Sequence, residues 1–138
     1  LKVELKRVDS DFHFEAVGSA GVTVNIDTVP SIGGHNAGAR PMELMLMSLG
    51  SCSAIDVIEI LKKQKQDIQG FNITIDGERE PDKIPSLFKE INIHYTLKGD
   101  IDERKVKRAI ELSLDKYCSA AATLKKTSTI QYSYSIEK

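Results

Sequence analysis

The chain has 138 residues, of which 41% are hydrophobic and 28% charged, and its formal net charge is −1. This fits one folded domain, residues 1–138, rather than a disordered chain. A near-neutral balance with no long run of Lys or Arg carries no nucleic-acid footprint, and no apolar stretch is read as approaching the length of a membrane span.

The opening residues LKVELKRVDS alternate like a strand and hold no secretory h-region. The expected compartment is therefore the reducing cytoplasm. There, two cysteines are free thiols or a transient catalytic pair rather than a structural staple.

Three period-two segments follow one another in the first 27 residues. Val3 and Leu5, then Phe12, Phe14 and Ala16, then Val22, Val24 and Ile26 alternate with polar neighbours. Period two predicts three half-buried strands in an antiparallel meander. Residues 28–40, TVPSIGGHNAGAR, form a Gly-rich loop. Pro41 then opens a long helix to about Gln66, with Glu43 near its positive end and Lys62, Lys63 and Lys65 near its negative end.

Phe71, Ile73 and Ile75 return to period two, and Ile91, Ile93, Tyr95 and Leu97 make the cleanest strand of the chain. Asp100 with Glu103 resembles a capping box for a second helix, which sets Val106, Ile110, Ser113 or Leu114, and Tyr117 on one side. Cys118 falls at its end. Residues 119–126 read as a short helix, and Ile130, Tyr132, Tyr134 and Ile136 as a last strand. Six strands that each need an apolar cover, with a long helix to supply it, predict an α+β architecture of antiparallel sheet wrapped on helices.

On the long helix, Leu46, Met47, Leu49, Ala54, Val57, Ile58, Ile60 and Leu61 spread over about half the circumference at roughly 100° per residue. That arc is wider than one small domain can bury, and a symmetric dimer would cover it. Gly50 lies within it, where another backbone could approach closely. Cys52 lies off the arc, one turn from Ser48 and Asp56, on a stripe of small and polar residues. By position alone the thiol is either packing filler or a reactive group. Asp56 works against a thiolate, and the dipole's positive end is about three turns away. A reactive Cys52 therefore needs an arginine from elsewhere: Arg7, Arg40 or Arg79.

His13, His35 and His94 match no metal-ligand spacing, and there is no CxxC, so no metal is expected. The GGHNAG loop lacks the G-K-[ST] of a phosphate loop. A Cys52–His35 acyl-transfer pair lacks an oxyanion hole. Met45, with Met42 and Met47, suits a greasy pocket or an interface.

The order of segments is specific: a Gly-rich loop, PMELMLMSLGSCSAIDV, GERE, PSLFKEINIHYTLKG, and a helix ending in KYCSAAATL. It resembles the OsmC/Ohr superfamily of organic hydroperoxide reductases over essentially the whole chain, most of all the YhfA-like OsmC branch. The resemblance implies an OsmC-like fold and an intertwined homodimer with two long helices at its centre. It implies Cys52 as peroxidatic and Cys118 as resolving cysteine, which pass through a sulfenate and a disulfide that an external dithiol reduces. Arg40 or Arg79 would stabilise the thiolate, and Met45, Asp56 and Glu43 would contact a hydroperoxide. No cofactor, nucleic acid or membrane is implied. Better-characterised members place Pro-Glu at the start of the central helix, and that Glu pairs with the Arg. Here Pro41 is followed by Met42, Glu43 is expected to face elsewhere, and Asp56 is the candidate replacement. A non-enzymatic dimer that binds a small apolar ligand or senses redox state is the competing reading.

Overall fold

Alternation in the first 27 residues folds into an antiparallel meander of β1 (Glu4–Arg7), β2 (Phe14–Val17) and β3 (Thr23–Ile26) in the computed structural model, which describes residues 1–138. Two compact units divide the chain, Leu1–Met45 and Leu46–Lys138. In the first, Leu5, Ala16 and Val24 stand opposite one another in register. These strands were expected to be half-buried. Val3, Leu5, Phe12, Val22 and Val24 are instead exposed in the single chain, because a three-stranded sheet has no second layer of its own.

The glycine-rich loop folds back on β3. Asp27 donates its N–H to Ala39 O, and Ala39 N–H donates to Asn25 O. A Cβ on Gly38 would lie 2.2 Å from Asn25 O and one on Gly34 2.1 Å from Thr28 O, so close backbone approach dictates both glycines. Asp27, buried beneath the loop, accepts from the N–H groups of Thr28, His35 and Ala37 at 2.7, 3.0 and 3.1 Å. Burial alone would raise its carboxyl pKa. The three donors and the charge of His13 outweigh that and lower it.

The long helix α1 spans Pro41–Lys63. Its Glu43 carboxylate reaches back to the Arg40 N–H at 2.9 Å, closing the first turn. Of the wide apolar arc, only Leu49, Gly50, Val57 and Leu61 are buried, together with Ser53. Met47, Ile55 and Ile58 remain exposed. Gly50 faces a side chain and not a backbone: a Cβ there would lie 2.5 Å from Ile75 Cδ1. The membrane expectation also needs correction. With 23 residues and a mean hydropathy of 1.7 in its most apolar window, α1 is long and apolar enough to span a bilayer by length and composition. Its Ser48, Asp56 and Glu59 give it a polar stripe that composition averages away.

In the second unit, β4 (Gly70–Arg79) and β5 (Phe88–Lys98) pair antiparallel, while β6 (Thr129–Glu137) pairs parallel to β5. The expected all-antiparallel sheet fails at this pair. Residues 99–128 form a connection long enough to return the chain in the same direction. On the central strand β5, Ile91, Ile93, Tyr95 and Leu97 are fully buried. Helix α2 (Glu103–Leu112) is capped by Asp102, which accepts from Arg104 N–H at 2.9 Å, and not by Asp100. A π-turn at Ser113–Tyr117 follows, closed by Cys118 N–H donating to Ser113 O at 2.7 Å. Its extra residue turns Tyr117 outward, off the side that holds Val106, Ile110, Ser113 and Leu114. Cys118 then caps α3 (Ser119–Leu124), its Sγ accepting from Ala121 N–H at 3.3 Å.

Candidate functional site

Helix α1 carries Cys52 and, one turn on, Asp56; the π-turn delivers Cys118 to the same place. The two Sγ atoms and a carboxylate oxygen of Asp56 lie within 4.8 Å of one another. Cys52 is half-buried and Cys118 is 3% exposed, so Cys52 is the more accessible of the two residues.

A file of buried hydroxyls backs the cluster. Ser113 Oγ donates to Asp56 Oδ2 at 3.0 Å and lies 2.8 Å from Ser53 Oγ, which lies 2.7 Å from Tyr95 OH. An ionised carboxylate only accepts and each hydroxyl has one proton. With the Ser113 proton on Asp56, Ser53 donates to Ser113 and Tyr95 to Ser53. All three dipoles then point toward Asp56. Burial pushes the Tyr95 hydroxyl up to about 12, against its bond to Ser53. Burial likewise pushes the Cys118 thiol up to about 11, opposed by the Ala121 N–H and reinforced by Cys52 and Asp56.

A cleft of about 510 Å³ opens beside Asp56, walled by Ile60, Leu112 and Tyr117 with Glu59, Lys63 and Gln64. Four of its seven lining residues, Asp56, Glu59, Lys63 and Gln64, are polar or charged, and neither cysteine lines it. Of the residues singled out in the sequence, the structure brings together Cys52, Asp56 and Cys118. Arg79 is not among them: its Nε and Nη2 both donate to Ser86 O, bracing the β4–β5 connection. Arg40 pairs with Glu43 at 3.5 Å and donates to Asn36 Oδ1 at 3.3 Å. Glu43 reaches Arg40 because a helical side chain lies over the turn before its own Cα. Met45 is 41% exposed. Ser53, Ser113 and Tyr95 were missed, and their only signal was polarity at positions otherwise apolar by period.

The histidines make other contacts. His94 bonds Ser133 and Ser135, His13 bonds Asn25, and His35 Nε2 bonds Asp11 Oδ2 at 2.7 Å. That bond, first among several causes, holds His35 above its ordinary pKa.

Comparison with known proteins adds four findings. The family model described as "OsmC-like protein" matches residues 34–133. Over 97 residues the chain is 43% identical to Protein YhfA of Escherichia coli (strain K12), a match spanning 70% of this chain and 72% of that protein. A hypothetical protein from Aquifex aeolicus VF5 superposes with a TM-score of 0.85 at 34% identity, covering 99% of this chain and 95% of the other. The organic hydroperoxide resistance protein OhrB of Bacillus subtilis superposes with a TM-score of 0.65 over 97% of this chain and 96% of its own; at 18% identity that likeness is one of fold.

Proposed function

We propose, from the premise that this chain belongs to the OsmC-like protein family, that it is a thiol peroxidase for organic hydroperoxides, acting as one domain in a homodimer. The observation that carries this reading is the meeting of Cys52 and Cys118, 66 positions apart in sequence, within 4.8 Å at the sulfurs.

The chemistry balances with the two thiols and a reductant. The Cys52 thiolate attacks the O–O bond of a hydroperoxide. The distal oxygen joins sulfur as a sulfenic acid, and the alkoxide takes a proton and leaves as an alcohol. The Cys118 thiol then attacks the sulfenic sulfur, forming the Cys52–Cys118 disulfide and releasing water. An external dithiol reduces that disulfide and is itself oxidised. The half-buried Cys52 faces the peroxide, and the withdrawn Cys118 resolves it. Ile60, Leu112 and Tyr117, the apolar part of the cleft beside Asp56, are proposed to take the alkyl tail of an organic peroxide. Arg40 is the guanidinium proposed to stabilise the thiolate, with Arg79, bonded to Ser86 O within the chain, as the alternative; Glu43 and Met45 are the proposed substrate contacts, and alanine substitution of each arginine decides between them. Exposed Met47, Ile55 and Ile58 on α1 support the dimer.

The test is turnover of cumene hydroperoxide and of hydrogen peroxide with a dithiol. The expected result is faster loss of the organic peroxide, no turnover in Cys52→Ser, and a single turnover in Cys118→Ser with a sulfenate that dimedone traps. Full turnover in Cys52→Ser would sink the reading. The cleft favours one alternative, a non-enzymatic carrier of a small apolar ligand. Co-purified ligand with both thiols unreactive toward peroxide would point there.

A further inference from the structure

We propose that the reduced Cys52–Asp56–Cys118 cluster is a zinc-binding site, holding one Zn²⁺ per chain and closed to peroxide while the metal is bound. The inference goes beyond the peroxidase reading, since it needs only the reduced sulfurs and one carboxylate.

The donor set is the first ground. Two sulfurs and one carboxylate oxygen converge within 4.8 Å, and two thiolates with a carboxylate suit a borderline-soft divalent ion better than magnesium or calcium. Tetrahedral Zn–S and Zn–O bonds set the ligand atoms roughly 3.3–3.8 Å apart. A contraction of at most about 1.5 Å from that 4.8 Å bound, within reach of side-chain rotation on the half-buried Cys52, therefore closes the site. The sequence hides it because it has no short motif: Cys52 and Asp56 sit at i and i+4 on α1, while Cys118 arrives from the cap of α3.

The support around the ligands is the second ground. A metal-bound carboxylate is normally fixed by an outer hydrogen bond. Here Ser113 Oγ holds Asp56 Oδ2 at 3.0 Å and leaves Oδ1 for the ion, while Ser53 and Tyr95 hold Ser113 from behind. Ala121 N–H points at Cys118 Sγ at 3.3 Å and would hold a thiolate equally well. Asp56 also lines the cleft, from which water fills the fourth position. On binding, the two thiols release their protons and their lone pairs are engaged by the metal. The bound site neither attacks a peroxide nor forms a disulfide, and the disulfide in turn binds no zinc. The Asp9–Asp11–His35 group in the first unit is the contrast: it lacks sulfur, and its imidazole nitrogen is already bonded to Asp11 at 2.7 Å.

The experiment titrates the reduced full chain, kept anaerobic, with Zn²⁺ against a chromophoric chelator and with Co²⁺ as a spectroscopic probe. One ion per chain, thiolate-to-cobalt charge-transfer absorption, and protection of both thiols from alkylation are expected. Cys52→Ser and Cys118→Ser should each abolish the charge-transfer signature of two sulfurs. Asp56→Asn should weaken zinc by more than about tenfold, and Ser113→Ala by about tenfold. Circular dichroism checks that each variant is folded, and Asp56→Asn keeps the test open if a cysteine variant is not. No ion retained at micromolar free zinc would overturn the proposal. So would affinity unchanged in Cys52→Ser or Asp56→Asn, or lost in His35→Ala. No peroxide enters the measurement, so its failure and the failure of the peroxidase reading are told apart.

Discussion

Cys118 shows what a few ångströms of environment do to one side chain. Its thiol, ordinarily near 9, stands at about 11 because it is buried, with Cys52 and Asp56 adding to the shift against the Ala121 N–H. At neutral pH it is protonated. The shift has a signed consequence for stability. Between the ordinary and the raised value the folded chain still binds a proton that the unfolded chain has released, so stability falls as pH rises through that window. The melting temperature of the reduced protein should therefore decline from about pH 9 to 11, and decline less in Cys118→Ala; parallel curves would mean that another group governs the slope. Tyr95, raised to about 12 by burial, extends the decline beyond in both. At this scale the sequence was partly legible. Asp56 beside Cys52 follows from helical spacing alone. The hydroxyls that hold Asp56 do not, because Ser53 and Ser113 are 60 positions apart and meet only in the packed structure.

Among the elements, most strands and α1 were readable, since period two and period 3.6 leave different marks. What escaped were the places where an element departs from its ideal period or its pairing. The π-turn at Ser113–Tyr117 inserts a residue that no hydrophobic pattern announces. It both turns Tyr117 outward and brings Cys118 to the cluster. The parallel β5–β6 pair was equally invisible, because alternation is the same for either strand direction. The glycines of the loop before α1 are explained by backbone contact, with β3 at Gly38 and with Thr28 at Gly34. Gly38→Ala should thus detach the loop: amide exchange at Asp27 and Ala39, which bond across this junction, is expected to accelerate by at least tenfold, about 1.4 kcal/mol of local opening. Exchange unchanged in the variant would show that the loop yields to a Cβ without losing its seat.

For the whole molecule, the decisive feature is apolar surface left over. Met47, Ile55 and Ile58 on α1 are 53%, 60% and 43% exposed, and the apolar row of the first sheet is open as well. Surfaces of this kind mark association sites, and two copies of one chain cover them most simply through two-fold symmetry. Sedimentation should find a dimer for the unaltered protein. Ile55→Glu combined with Ile58→Glu should give a folded monomer, since two charges buried at such an interface lack partners. A monomeric unaltered protein, or an unchanged dimer in the variant, would remove the homodimer from the reading.

The sequence by itself determined the elements, the α+β class, the family and the pair of residues on one helix stripe, Cys52 and Asp56. The elements, the class and the Cys52–Asp56 pair depend on local periodicity, and the family on the resemblance carried by its motifs and their order; a linear chain displays both directly. Only the tertiary structure decided that Cys118 meets them, that Ser113, Ser53 and Tyr95 hold them, that Arg79 braces a turn, and which part of the α1 arc is buried. Most of those outcomes depend on contacts between residues tens of positions apart, and the Arg79 brace on a loop conformation that no period announces. Such contacts are selected by packing and by the need to satisfy each buried polar group, and neither leaves a regular trace along the chain.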